Sequence, residues 1–255
     1  MPCARDDHRR DPSHVALTPP LGFGVFLAPF HPAGQNPTFA LRRDLELIDR
    51  LDELGFDEAW IGEHHSAGAE IIAAPEVFIA AAAERTGRIR LGTGVTSLPY
   101  HHPFLVADRM VFLDHLTRGR VMLGVGPGAL PSDAAMLGID ADRQRRMMEE
   151  ALEAIVLLLT SDAPVTYEAD WFTLRDARLQ LRPYQHPCFE LAVAALVSPA
   201  GPRAAGRFGT GLLSVGATQS GGFDVLANHW RVAEERAAAH GRSMDRRRWR
   251  MAAPM

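Results

Sequence analysis

Residues 55–103 read GFDEAWIGEHHSAGAEIIAAPEVFIAAAAERTGRIRLGTGVTSLPYHHP. An apolar strand over 57–62 runs into Glu63, His64 and His65, and an alanine-rich helix over 75–85 follows. A second apolar strand over 89–96 carries Gly92-Thr93-Gly94-Val95 ahead of the pair His101 and His102. Strand, helix and strand in this order, with no hairpin turn between them, form a crossover unit that makes two parallel strands. Polar and glycine-rich chemistry therefore falls at strand ends.

The same alternation extends both ways. Upstream, residues 21–29 read as a short buried strand, Thr38 is placed to cap a helix over 39–54, and Leu41, Leu45, Ile48, Leu51 and Leu54 recur at helical steps until Gly55 ends it. Downstream come a helix over 104–116, a strand over 120–125, a loop over 126–140 and a charged-start helix over 142–159. Residues 161–187 read as an irregular excursion with one hairpin. A strand over 190–196, a helix over 199–208, a strand over 211–215, a helix over 223–239 and the start of a strand over 249–253 complete the series. Alternating modules of this kind predict an α/β fold, a (β/α)8 TIM barrel, with parallel strands buried on both faces. Eight strands close such a barrel, whereas seven are counted, so the expectation is a barrel truncated after the seventh strand. Residues 1–18 are expected to be a disordered tail and 19–255 one barrel domain.

Composition narrows the partners. With 27 Lys plus Arg against 31 Asp plus Glu, the formal net charge of -4 offers no footprint for nucleic acid or an anionic membrane. No run approaches the roughly 20 apolar residues of a membrane span, and the first residues lack the apolar centre of a secretory signal. Cys3 and Cys188 have no Cys-x-x-Cys spacing, which fits a reducing cytoplasm.

In a parallel barrel the loops at the carboxyl ends of the strands converge on one mouth. Glu63, His64 and His65, then residues 94–98, 126–128, 197–198 and 216–218, all fall there. Adjacent side chains on a strand diverge, so one of the two histidines faces the mouth; it could exchange a proton near neutral pH, with Glu63 tuning it. These groups would equally satisfy each other and loop backbone. No metal site is expected, because neighbouring histidines diverge and no His-Glu-x-x-His spacing occurs. The glycines of GTGV and GVGPG would let backbone approach a flat or anionic ligand, although neither completes a dinucleotide fingerprint. Arg145 near a helix start and Ser198 before a helix at Pro199 suit a phosphate, or else a solvated charge run and a plain cap.

In combination, GFDEAWIGEHH at 55–65, RLGTGVTSLPYHHP at 90–103, DRMVFLDHLTRGRVMLGVGPG at 108–128, LGIDADRQRRMMEEALE at 137–153 and Ser198 resemble the bacterial luciferase-like flavin-dependent monooxygenases. GVGPGALPSDAAMLG places the limonene-monooxygenase-like branch nearest. The resemblance implies a barrel mouth that binds reduced FMN from a separate flavin reductase and uses O2, through a peroxyflavin, to oxidise a small apolar organic substrate. By the same matching His64 is the catalytic histidine, Gly94-Val95 carries a non-prolyl cis peptide, and Glu63, Gly94, Val95, Gly126, Arg145 and Ser198 contact the cofactor. Gly126 stands where luciferases carry a reactive cysteine, and Pro127 replaces a phosphate-holding arginine. A homodimer through the helices after the second and third strands is also implied, as is a further C-terminal stretch of the family domain beyond residue 255. Two alternatives follow from the family as well: a deazaflavin-dependent oxidoreductase, and a non-catalytic flavin-binding or partner subunit.

Overall fold

The computed structural model describes residues 21–218 and 221–253; the expected tail over 1–18 and Cys3 lie outside them. Seven strands form one parallel sheet: β1 (Gly24–Leu27), β2 (Glu58–Ile61), β3 (Arg90–Ser97), β4 (Val121–Gly126), β7 (Glu190–Ala195), β8 (Gly211–Val215) and β9 (Trp249–Ala252). The remaining two, β5 (Val165–Glu168) and β6 (Thr173–Ala177), pair antiparallel as the hairpin expected in the excursion. Helices α1 (Pro37–Leu54), α2 (Pro75–Ala83), α3 (Pro103–Leu116), α5 (Gln144–Thr160), α6 (Ala200–Phe208) and α7 (Gly222–Ala239) link the strands of the sheet. This is a nearly closed barrel of seven strands.

Two local expectations change. Asn36, not Thr38, caps α1: its Oδ1 accepts from the N–H groups of Thr38 at 2.9 Å and Phe39 at 3.4 Å, and Pro37 opens the helix without losing a bonded N–H. Within the expected 126–140 loop a short helix, α4 (Pro131–Met136), forms and carries Asp133 into the interior. Its amphipathic run is too short for a periodicity signal.

Most apolar burial lies between strands and helices, where Ile48, Ile79, Leu91, Leu123, Leu152 and Ile155 are fully enclosed. The barrel interior is a separate, smaller cluster around Trp60, Met122, Ala192 and Leu213, with Phe26, Val95 and Val215 against it. The glycines of the two rim motifs make this interior possible. A Cβ on Gly92 would lie 2.6 Å from the Trp60 ring, one on Gly94 2.9 Å from Phe26 and Trp60, and one on Gly124 2.2 Å from the Thr93 carbonyl. The clearance expected to admit a ligand at Gly92 and Gly124 is thus filled by the chain itself.

At the opposite end, charges replace apolar packing. Arg250 of β9 bonds Glu58 of β2 (Nε to Oε2 2.9 Å, Nη2 to Oε1 2.7 Å) and Glu190 of β7 (Nη2 to Oε2 3.0 Å), while Arg90 of β3 reaches the same two carboxylates at 3.1 and 3.0 Å. The four alternate in sign across the barrel. Because β1 and β9 are the two ends of the sheet, this network ties the last strand to the second, 192 residues earlier.

Candidate active site on the carboxyl-end rim

β2 ends at Ile61, so Glu63, His64 and His65 sit in the loop that follows rather than on the strand. The two histidines diverge, as adjacent residues should. His64 Nε2 lies 2.7 Å from Glu70 Oε2, and its Nδ1 lies 4.0 Å from Asp133 Oδ2 with no hydrogen-bond partner among the described residues. His65 turns the other way, with Nε2 2.9 Å from Glu63 Oε1.

Glu63 is a hub. Its fully buried carboxylate also meets His101 Nε2 at 2.8 Å through Oε1 and accepts the Ser97 N–H at 2.9 Å through Oε2. A buried carboxylate needs such donors, and here three of them join the rim segments after β2 and β3. Burial alone would lower the pKa of His101, but the hydrogen bond and charge of Glu63, with Glu76 adding to them, outweigh it and raise the value above the usual 6.5. A raised histidine contributes stability at pH below 6.5 that is lost as pH rises through its higher folded value. Thermal unfolding is therefore expected at a lower temperature at pH 8 than at pH 6, with this difference reduced in His101→Gln; an unchanged difference would remove the pair from the pH response.

The peptide bond Gly94–Val95 is cis, as the resemblance implies. Val95 beyond it packs on Gly126 at the end of β4, where a Cβ would lie 2.7 Å from Val95 Cγ2. Gly128, at φ 90°, leaves room for Tyr100, whose hydroxyl accepts from Gln144 Nε2 at 3.1 Å; Gln144 also donates to the Pro127 carbonyl at 2.8 Å. That bond fixes the rim loop to the start of α5.

Of the three arginines there, Arg143 and Arg146 share Asp170 at 2.6 and 2.8 Å. Arg145, the second residue of α5, is exposed and makes no ion pair among the described residues. Ser198 lies between β7 and α6, which begins at Ala200 rather than Pro199, and its Oγ accepts the Ala200 N–H at 3.3 Å. Its neighbour Val197 is held by His229 of α7, Nε2 to carbonyl 3.0 Å.

Glu70 and Asp133, the two carboxylates beside His64, were not among the residues singled out in the sequence. The signals were slight: one acid in the small-residue run SAGAE, and an acid two residues after a proline in a glycine- and proline-rich loop. No group of three or more His, Cys, Asp or Glu among the described residues is placed to hold a metal ion.

Residues 21–254 match the family described as luciferase-like monooxygenase. The chain belongs to that family. It is 55% identical over 235 residues to limonene 1,2-monooxygenase of Rhodococcus erythropolis, covering 92% of this chain and 60% of that protein. Against 4-hydroxyprotoasukamycin monooxygenase of Streptomyces nodosus subsp. asukaensis it is 56% identical over 234 residues, covering 91% and 63%. Among solved structures, the oxygenating constituent of 3,6-diketocamphane monooxygenase from Pseudomonas putida, a type II Baeyer-Villiger monooxygenase in complex with FMN, superposes with a TM-score of 0.79 at 26% identity, covering 91% of this chain and 67% of that one. This luciferase-like chain spans about three fifths of the length of the two monooxygenases it matches. Among its described residues no helix is long and apolar enough to cross a membrane.

Proposed function

We propose that the chain forms the cofactor-binding part of a flavin-dependent monooxygenase that receives reduced FMN from a separate flavin reductase and inserts one oxygen atom of O2 into a small apolar organic substrate. The observation that carries this reading is the gathering, on one rim, of His64 between two carboxylates, the cis Gly94–Val95 seated on Gly126, and a cation and a hydroxyl suited to a phosphate. Reduced FMN, when bound, supplies the electrons that activate O2.

The residues fit that group by the chemistry of their donors. A phosphate dianion seeks a cation uncommitted to carboxylates, a hydroxyl, and backbone N–H groups at a helix start, and Arg145, Ser198 and the first turn of α6 offer these. Gly94, Val95 and Gly126 would floor the ring system, with Trp60 and Phe26 closing the barrel beneath and excluding water. Glu63 braces the rim. His64 handles the proton at Nε2, since its Nδ1 is closed off from solvent.

Titration with FMN, oxidised and reduced, followed by absorbance and fluorescence, tests the cofactor assignment. Saturable binding is expected, weakened about 10- to 100-fold in Arg145→Ala by loss of a charge-assisted contact; no saturable binding in either state defeats the reading. Saturation by a deazaflavin alone would move it to hydride transfer.

A homodimer fits the outer surface of α3, where Leu105, Phe112 and Leu116 are exposed along one face, with Val77 of α2 exposed as well. Sedimentation at micromolar concentration should show twice the chain mass, and a monomer there would remove the pairing.

A further inference from the structure

His64 has a carboxylate at each ring nitrogen, and the two are not equivalent. Asp133 is committed elsewhere: its Oδ1 takes the Ser66 hydroxyl, its Oδ2 lies 3.4 Å from the His65 N–H, and it stands 4.0 Å from His64 Nδ1, beyond hydrogen-bond reach. Glu70 meets Nε2 at 2.7 Å. An ionised carboxylate only accepts, so this contact places the ring proton on Nε2. In a neutral imidazole that leaves Nδ1 bare, consistent with its lack of a partner.

The loop that presents Glu70 is pinned on both sides. Before it, the Ala69 carbonyl accepts the His31 backbone N–H at 2.9 Å and faces His31 Nδ1 at 3.1 Å; the other ring nitrogen of His31 lies 2.9 Å from Asp44 Oδ2 of α1. His31 and Asp44 are both nearly inaccessible, 4% and 5% exposed, so this anchor is built into the core between β1 and α1. After it, the Ile72 carbonyl accepts the backbone N–H of His64 itself at 3.1 Å. The ring and the backbone of His64 thus grip the same short segment, and a carboxylate with freedom to swing into water is held instead in one place.

We propose that Glu70 is the positioning residue for His64. It accepts the Nε2–H, fixes that tautomer and the angle of the ring, and keeps the transferable proton on the nitrogen a bound molecule can reach; Asp44, His31 and the Ala69 carbonyl fix Glu70. This rests on the reading of His64 as the proton-handling group, but its structural half can be read without flavin.

The experiment is 15N-edited NMR of the full chain without cofactor, with the His64 signals assigned by their loss in His64→Gln, in the wild type, Glu70→Gln and Glu70→Ala. The wild type should show the Nε2–H tautomer; Glu70→Gln, whose amide oxygen can still accept, should keep it; Glu70→Ala should show a mixture. Tautomer populations alike in the wild type and Glu70→Ala, with both variants folded by thermal unfolding, overturn the proposal. Should Glu70→Ala fail to fold, a mixed tautomer in the wild type or an Nδ1–H tautomer in Glu70→Gln overturns it equally. In turnover with a flavin reductase, Glu70→Ala should lower kcat about tenfold or more with FMN affinity unchanged, and unchanged kcat removes the functional half. Absence of flavin binding in the wild type would defeat the monooxygenase reading while leaving the tautomer result to stand or fall alone.

Discussion

Replacing His64 with alanine is expected to lower oxygenation turnover by about a hundredfold or more while FMN affinity stays within about twofold. The reason is positional. His64 leaves β2 in the loop at the mouth, its ring held by Glu70 on one side and closed on the other by the segment carrying Asp133. None of the phosphate-directed groups depends on it, because Arg145 belongs to α5 and Ser198 to the turn before α6. Loss of turnover with binding intact is thus the signature expected, measured as oxygen uptake and product formation beside a flavin titration. Unchanged turnover would remove His64 from the chemistry, and lost binding would make it a structural element of the pocket.

The second large effect concerns stability. Arg250→Met should destabilise the chain by about 3 kcal/mol in denaturant unfolding, because removing one member of a largely buried charge network leaves the others uncompensated. Glu58 and Glu190 would face each other with only Arg90 between them, and β9 would lose its tie across the barrel to β2. The pH response follows from Glu190. Burial pushes its pKa up, but the hydrogen bond and charge of Arg250, then those of Arg90, prevail and hold it below the usual 4.5. A lowered carboxylate contributes stability above pH 4.5 that is lost as pH falls through its lower folded value. In Arg250→Met that acid-sensitive contribution should shrink, and an unfolding midpoint equal to the wild type's would mean the network carries no net stability.

Much of this was legible because barrel strands announce themselves. Parallel strands covered on both faces must be apolar throughout, so the runs ending in Glu63, in Gly94-Val95 and in Gly126 locate the rim before any coordinates exist. The glycines were harder. Composition says that a Cβ is missing, not what fills its space, and only packing reveals that Trp60 lies over Gly92 and Gly124 and that Val95 rests on Gly126. Glu70 and Asp133 escaped notice because their role depends on loop paths: Glu70 is brought to His64 by bonds at Ala69 and Ile72, and Asp133 by the short helix α4. Glu63 was seen, but its neighbours His65, His101 and Ser97 come together only when the loops after β2 and β3 meet.

The most direct test of the cofactor site is a crystal structure of this chain with FMN. The expected result is the phosphate held by Arg145 and Ser198 at the start of α6, with the ring system over Gly94–Val95 and beside His64. FMN bound away from this rim, or with its phosphate free of both residues, would contradict it.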